Sequence, residues 1–256
     1  MAASQRETGL AHASADGAVA AVAARGPRSI LLGSLLIVEA LLAFAPLLLL
    51  GPAIGWPASL GEPAAVQLAA IHAHPEAVAR GYSAYLLYSI LVLPVMVALT
   101  ARVLGRLDDV AGVVIVAFAA LSVLARSIGI LRWLTVMPEL AQAQAADPAS
   151  TADIARLFEA LHAYGGGIGE ILGVSLFMAI ALGTLGGASL ARPAPGNLPR
   201  WTAALAIVVA VLLAGVSLPA FGIGPAVPMA VAVSALSAWM LVVGIGLLAA
   251  RRAARL

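Results

Sequence analysis

A chain of 256 residues in which 62% are hydrophobic and 10% charged cannot fold as an ordinary water-soluble domain, because it would expose more apolar surface than water tolerates. The formal charge is +2, and all 14 basic residues are arginines dispersed between apolar segments, so no single basic patch exists to hold nucleic acid. With neither cysteine nor lysine, disulfides, thiol nucleophiles, Cys-ligated metals and lysine chemistry are excluded.

Residues 1–27 are alanine-rich and short of large apolar groups, and read as a disordered cytoplasmic tail. A bilayer span needs about 20 mostly apolar residues. Six segments meet that requirement, over 29–50, 83–104, 110–134, 166–190, 202–223 and 228–250. The division is therefore a tail (1–27), a six-helix transmembrane domain (28–250) and a basic cytoplasmic tail (251–256). Ala43-Phe44-Ala45 resembles a signal-peptidase site, but Pro46 and four following leucines extend the apolar run past the usual signal length. The first segment thus reads as a retained helix. Pro46 and Pro94 are expected to bend their helices.

Between the spans, one set of loops carries Arg25, Arg28, Arg102, Arg106, Arg192 and Arg200, and the other is acidic, with Glu62, Glu76, Glu139, Asp147, Asp153 and Glu159. The positive-inside rule places both termini in the cytoplasm of a multi-pass protein of the bacterial inner membrane. On the outer side, Ile154, Leu157, Phe158 and Leu161 recur at helical spacing after Ser150, predicting an amphipathic helix over 150–163 that lies on the membrane surface. A weaker helix is expected over 63–74. The fold class is all-α, a polytopic helix bundle.

Four ionisable residues fall inside the apolar segments: Glu39, Arg126, Arg132 and Glu170. Each costs roughly 2.5–3.5 kcal/mol at mid-membrane, so such groups persist where they pair, line a cavity or carry function. Arg126 lies about 24 Å along the third span and Glu170 at a matching height on the fourth, which makes them expected partners. Gly166 and Gly173 leave the face around Glu170 bare, and Ser122, Arg126, Gly129 and Trp133 form a stripe on the third span. Arg132 reads as a rim residue whose stem snorkels to the headgroups. Glu39 has no basic residue at its depth, which makes it a candidate proton-responsive group or a neutral acid bonded to the carbonyl that Pro94 frees.

His72, His74 and His162 lie on the outer side, where imidazoles and a carboxylate could hold zinc or copper, but no standard ligand spacing supports a site. No cofactor is predicted. Nucleophile elbows, zinc-hydrolase helices and phosphate loops are missing, so no catalytic residue is assigned and a non-enzyme is favoured. The glycines at 165–167, 169, 183 and 187 suit close helix packing, within the bundle or against a membrane-protein partner.

The run of Arg126, Arg132-Trp133, Pro138, His162, Tyr164, Gly169-Glu170 and Gly173 resembles a pattern in a family of bacterial six-span membrane proteins known only as a domain of unknown function. It covers the third and fourth spans and the loop between them. The resemblance implies architecture and location, and links Arg126, Arg132, His162 and Glu170 as a set.

The functional expectation is a protein that binds or transports a small anionic or protonatable solute through an outward-facing pocket, with Arg126 and Arg132 as a charge clamp, Glu170 as counter-ion and Glu39 deeper in. The alternatives are a non-transporting accessory or assembly protein of a membrane complex and, third, an outer-face metal-binding protein or enzyme.

Overall fold

The computed structural model describes residues 29–192 and 198–253. The expected tail over 1–27 and the last residues, 254–256, lie outside the described part, and no strand occurs within it. The helices are α1 (29–42), α2 (Ala45–Ile54), α3 (Ala64–Ala73), α4 (Pro75–Leu104), α5 (Val110–Leu134), α6 (Val136–Ala146), α7 (Thr151–Gly166), α8 (Met178–Ala191), α9 (Arg200–Val216) and α10 (Met229–Ala253). An 11-residue π-helical segment, Gly167–Phe177, joins α7 to α8.

Five continuous rods are long and apolar enough to cross a bilayer: Ser29–Ile54, Pro75–Leu104, Val110–Ala146, Pro148–Ala191 and Met229–Ala249. The protein is a polytopic helical membrane protein. Helix α9, at 17 residues, is shorter than the expected fifth span over 202–223. It stops because Ser217 turns its amide and hydroxyl back onto the Ala214 carbonyl and Pro219 follows.

Local chemistry accounts for the other boundaries. Helix α5 starts where the Asp109 carboxylate accepts the Gly112 amide at 2.7 Å, a side-chain N-cap. Helix α4 ends at Gly105, whose φ of 73° is open to glycine at little cost. The first rod breaks at 43–44, just before Pro46, which cannot donate to the helical ladder; the Phe44 amide bonds three residues back instead of four. Pro94, in contrast, is accommodated within an uninterrupted α4.

Two apolar cores divide the bundle. The larger gathers Leu36, Met96, Leu99, Ile115, Leu182 and Trp239 towards the arginine-bearing ends of the helices. The smaller, around Leu68, Ile71, Trp133, Met137 and Phe158, sits under the short helices α3, α6 and α7. Those helices differ from expectation in one respect: α7 runs without a break into the fourth rod, 44 residues in all or about 66 Å, and so extends beyond a hydrocarbon core of about 30 Å. Most of its apolar stripe turns inward, with Phe158 fully buried against Trp133 and Ile154 and Leu161 partly buried, while Leu157 stays exposed, so the amphipathic helix packs as part of a helical cap. Helix α3 packs likewise through Ala64, Gln67, Leu68 and Ile71, a one-face spacing, while Gln67 donates to the Glu62 carbonyl at 2.7 Å.

Candidate functional site

Between the two cores lies a cavity of about 310 Å³. Helix α5 supplies Arg126, Arg132 and Trp133, and α4 supplies Tyr82, Tyr85 and Tyr88. The fourth rod contributes Gly165, Gly169 and Glu170. The hinge of the first rod closes one side and the start of α10 another, with Trp56, Pro57 and Leu60 above.

Glycine lets the fourth rod come close to α5. A methyl added at 129 would sit 2.8 Å from the Gly169 Cα and 2.9 Å from the Gly165 carbonyl oxygen. One added at 173 would meet the Arg126 backbone nitrogen at 2.8 Å. Ser122 seals the contact by donating to the Gly173 carbonyl at 2.7 Å, a group inside the irregular π segment. Of the glycines singled out for packing, Gly165 and Gly169 serve α5, Gly183 touches Ala210 on α9, and Gly187 has nothing near it. The glycines are thus engaged within the chain at 165, 169 and 183, while Gly167, like Gly187, has nothing near it.

Arg126 and Glu170 do not pair. The ion pairs among the described residues are Arg80–Glu76, Arg106–Asp108, Arg156–Asp153 and Arg192–Asp109, and none of these residues belongs to the cavity. Height along straight cylinders was not enough to bring the two together, because Glu170 lies in the π segment, which shifts its direction about the helix axis.

Arg126 is 3% exposed, and its guanidinium lies 4.6 Å from the centroid of the Tyr88 ring, a cation–π contact. Its Nε has no hydrogen-bond partner, and no carboxylate stands within 4.0 Å. Arg132 is half-buried, and its side chain folds across Gly165, where an added methyl would lie 2.5 Å from a guanidinium nitrogen, and faces Trp133 at 5.4 Å. The missing Cβ at 165 opens that shelf. Glu170 is exposed, and it lines the cavity.

Glu39 is fully buried, and neither carboxylate oxygen has a hydrogen-bond partner, so the expected bond to the carbonyl freed by Pro94 is not made. It does not line the cavity; Ala43, one turn further along, does. His72 and His74 are exposed, whereas His162 is stacked on Phe158 and meets the edge of Trp133. No group of three His, Asp or Glu able to hold a metal occurs among the described residues.

Sequence reasoning missed the role of the tyrosines. Tyr82 stacks on Trp133 at 4.9 Å, Tyr85 meets Trp56 edge-on at 6.0 Å, and Tyr88 carries Arg126. Their spacing of three along one apolar helix was the available signal, since boundary aromatics seldom recur on one face over two turns. Trp239, read as a packing residue, is fully buried and donates to the Thr202 carbonyl at 2.9 Å.

A family model described as "Domain of unknown function (DUF4386)" matches residues 31–244, which takes in every wall of the cavity. No curated protein and no solved structure matches the chain.

Proposed function

The chain belongs to the DUF4386 family, and we propose that it binds a small organic anion in the aromatic-walled cavity, as the receiving site of a solute-binding or transporting protein. One observation carries the reading. Arg126 is buried at the cavity wall with no carboxylate in reach, and a desolvated guanidinium without a counter-ion is a costly arrangement that an incoming carboxylate relieves. Arg126 and Arg132 against Glu170 leave the cavity one positive charge in excess, which matches a monoanion. Aromatic and aliphatic walls with a few convergent polar groups are the usual make-up of a small-molecule site, and about 310 Å³ is at the small end of that range.

In this reading the protein sits in a bacterial cytoplasmic membrane with both termini inside and α9 as a sixth span, so the cavity belongs to the outer half. Glu39 lies beneath it, under the field of Arg126, where a proton could accompany or replace the anion. The accessory-protein alternative would have to use what α5 and α9 leave of the glycine face, around Gly167 and Gly187.

Benzoate is the test probe, with binding followed through the fluorescence of Trp56 and Trp133 in nanodiscs. Saturable binding is expected, and Arg126→Gln should weaken it by about 10- to 100-fold, the worth of one charge-assisted hydrogen bond or a little more. Binding that is absent, or equal in the two proteins, would overturn the proposal.

A further inference from the structure

The first and last rods meet at one end and part at the other. At the arginine-bearing end, Gly33 and Gly244 bring the two backbones together: a methyl at 33 would lie 3.0 Å from the Gly244 carbonyl oxygen, and one at 244 would lie 2.8 Å from that of Gly33. Ten residues further along the first rod, about 15 Å by helical rise, the same two rods stand on opposite sides of the cavity. Ala43, Phe44 and Leu47 form one flank and Ala230, Val233 and Ser234 the other. The break at 43–44 is part of that flank, so the bend imposed before Pro46 belongs to the opening.

These flanking residues line the cavity and yet are exposed at its edge. Phe44 is 45% exposed and Leu47 44%, and Ala230 and Ser234 are exposed as well. The surface around them is apolar, with Leu48 at 72% and Val231 at 51%. A mouth at this height on a membrane-spanning bundle looks onto lipid.

Resting on the anion site proposed above, we infer that the ligand is a single-chain amphiphile with an anionic head, a long-chain carboxylate in the simplest case, which enters sideways from the bilayer between the hinge of the first rod and the start of α10. The head goes to Arg126. The chain trails through the mouth, because about 310 Å³ is the volume of roughly ten waters and cannot enclose a long alkyl chain as well. The tyrosines and Trp133 receive the first carbons of the chain, and the remainder stays among acyl chains with no desolvation cost.

The chain contains no cysteine, so a lock across the mouth can be built without background. Leu47→Cys and Ala230→Cys, bridged by a bis-maleimide in nanodiscs, would tie the two rods together. The probes are cis-parinarate, a fluorescent long-chain carboxylate delivered from vesicles, and benzoate from solution. Affinity of the unmodified protein should rise at least tenfold from butyrate to stearate, and the bridge should slow parinarate uptake at least tenfold relative to the unbridged double variant. If benzoate binds in an Arg126-dependent way while affinity is flat with chain length, or if bridging leaves parinarate uptake unchanged, the lateral route is wrong and the anion site stands. If neither probe binds, both readings fall together.

Discussion

The two halves of the bundle are built to different standards. Around Trp239 the side chains are apolar and closely packed, and polar groups there find partners with the exception of Ser189 Oγ: the indole donates to the Thr202 carbonyl, the Ser175 hydroxyl donates to the Leu213 carbonyl, and a methyl added at Gly186 would sit 2.7 Å from the Ala203 carbonyl oxygen. At the cavity wall the Tyr82 hydroxyl and the Nε atoms of Arg126 and Arg132 lack partners, and so do two groups behind it, both oxygens of Glu39 and Ser89 Oγ. Native proteins leave few such groups, and each costs on the order of 1–3 kcal/mol. The contrast teaches that one half supplies the stability against which the other carries unsatisfied chemistry, the usual relation between a scaffold and a site.

The largest effect tests whether the packed half is the scaffold. Inside a bilayer, association of helices gains little from hydrophobic transfer, so Trp239 contributes through dispersion contacts and its hydrogen bond. Trp239→Ala is expected to destabilise the protein by about 3–5 kcal/mol, read as a drop in thermal midpoint in detergent. Phe44→Ala, at the cavity mouth, should cost under about 1 kcal/mol because that ring is half exposed already. Equal costs at the two positions would dissolve the distinction.

Residues whose meaning depends on apolar periodicity or on a single helix were legible without a structure. Five of the six expected spans, the helix over 150–163, the packing role of Trp239 and the membrane class all follow from patterns of that sort. The charges in apolar runs also pointed to Arg126, Arg132 and Glu170, which line one cavity, since such a charge must be accommodated somewhere. Partner assignment was not legible. It depends on the direction of each side chain around its helix, and the π segment that holds Glu170 alters that direction. The support under Arg132 was not legible for a related reason: only the backbone approach at Gly165 shows that the guanidinium has a shelf to lie on. Glycine density from 165 to 173 marked the place, but no single-helix rule says which face those glycines turn to a neighbour.

A second experiment sharpens the contrast by its sign. Glu39 is fully enclosed with neither oxygen bonded, so Glu39→Leu removes a desolvated group at little change in bulk. The expected result is stabilisation by about 1–3 kcal/mol, observed as a higher thermal midpoint. Loss of benzoate response or of its pH dependence in the same variant would identify Glu39 as part of the site's chemistry. A lowered midpoint would show instead that Glu39 and Arg126 hold the bundle together.

The smallest effect lies at the far end, where the same kind of residue should behave in the opposite way. Asp109 caps α5 and forms an ion pair with Arg192, joining the start of the third rod to the end of the fourth. The Gly112 amide first, and the Arg192 guanidinium second, hold its carboxyl below the ordinary carboxylate value. A carboxylate lowered in the folded state adds stability that is fully present above the unfolded value, about pH 4, and that disappears as pH falls through the folded value. Asp109→Asn keeps an oxygen for the Gly112 amide and removes the charge, so its thermal midpoint should fall a few degrees below wild type at pH 7. The gap should hold down to about pH 5 and close as the solution is acidified below about pH 4. Removing a carboxylate would then weaken the scaffold at Asp109 and strengthen the cavity half at Glu39. Because Asp109 is partnered in the folded chain and Glu39 is not, a difference in sign between these two variants separates a structural carboxylate from one retained at a cost to stability.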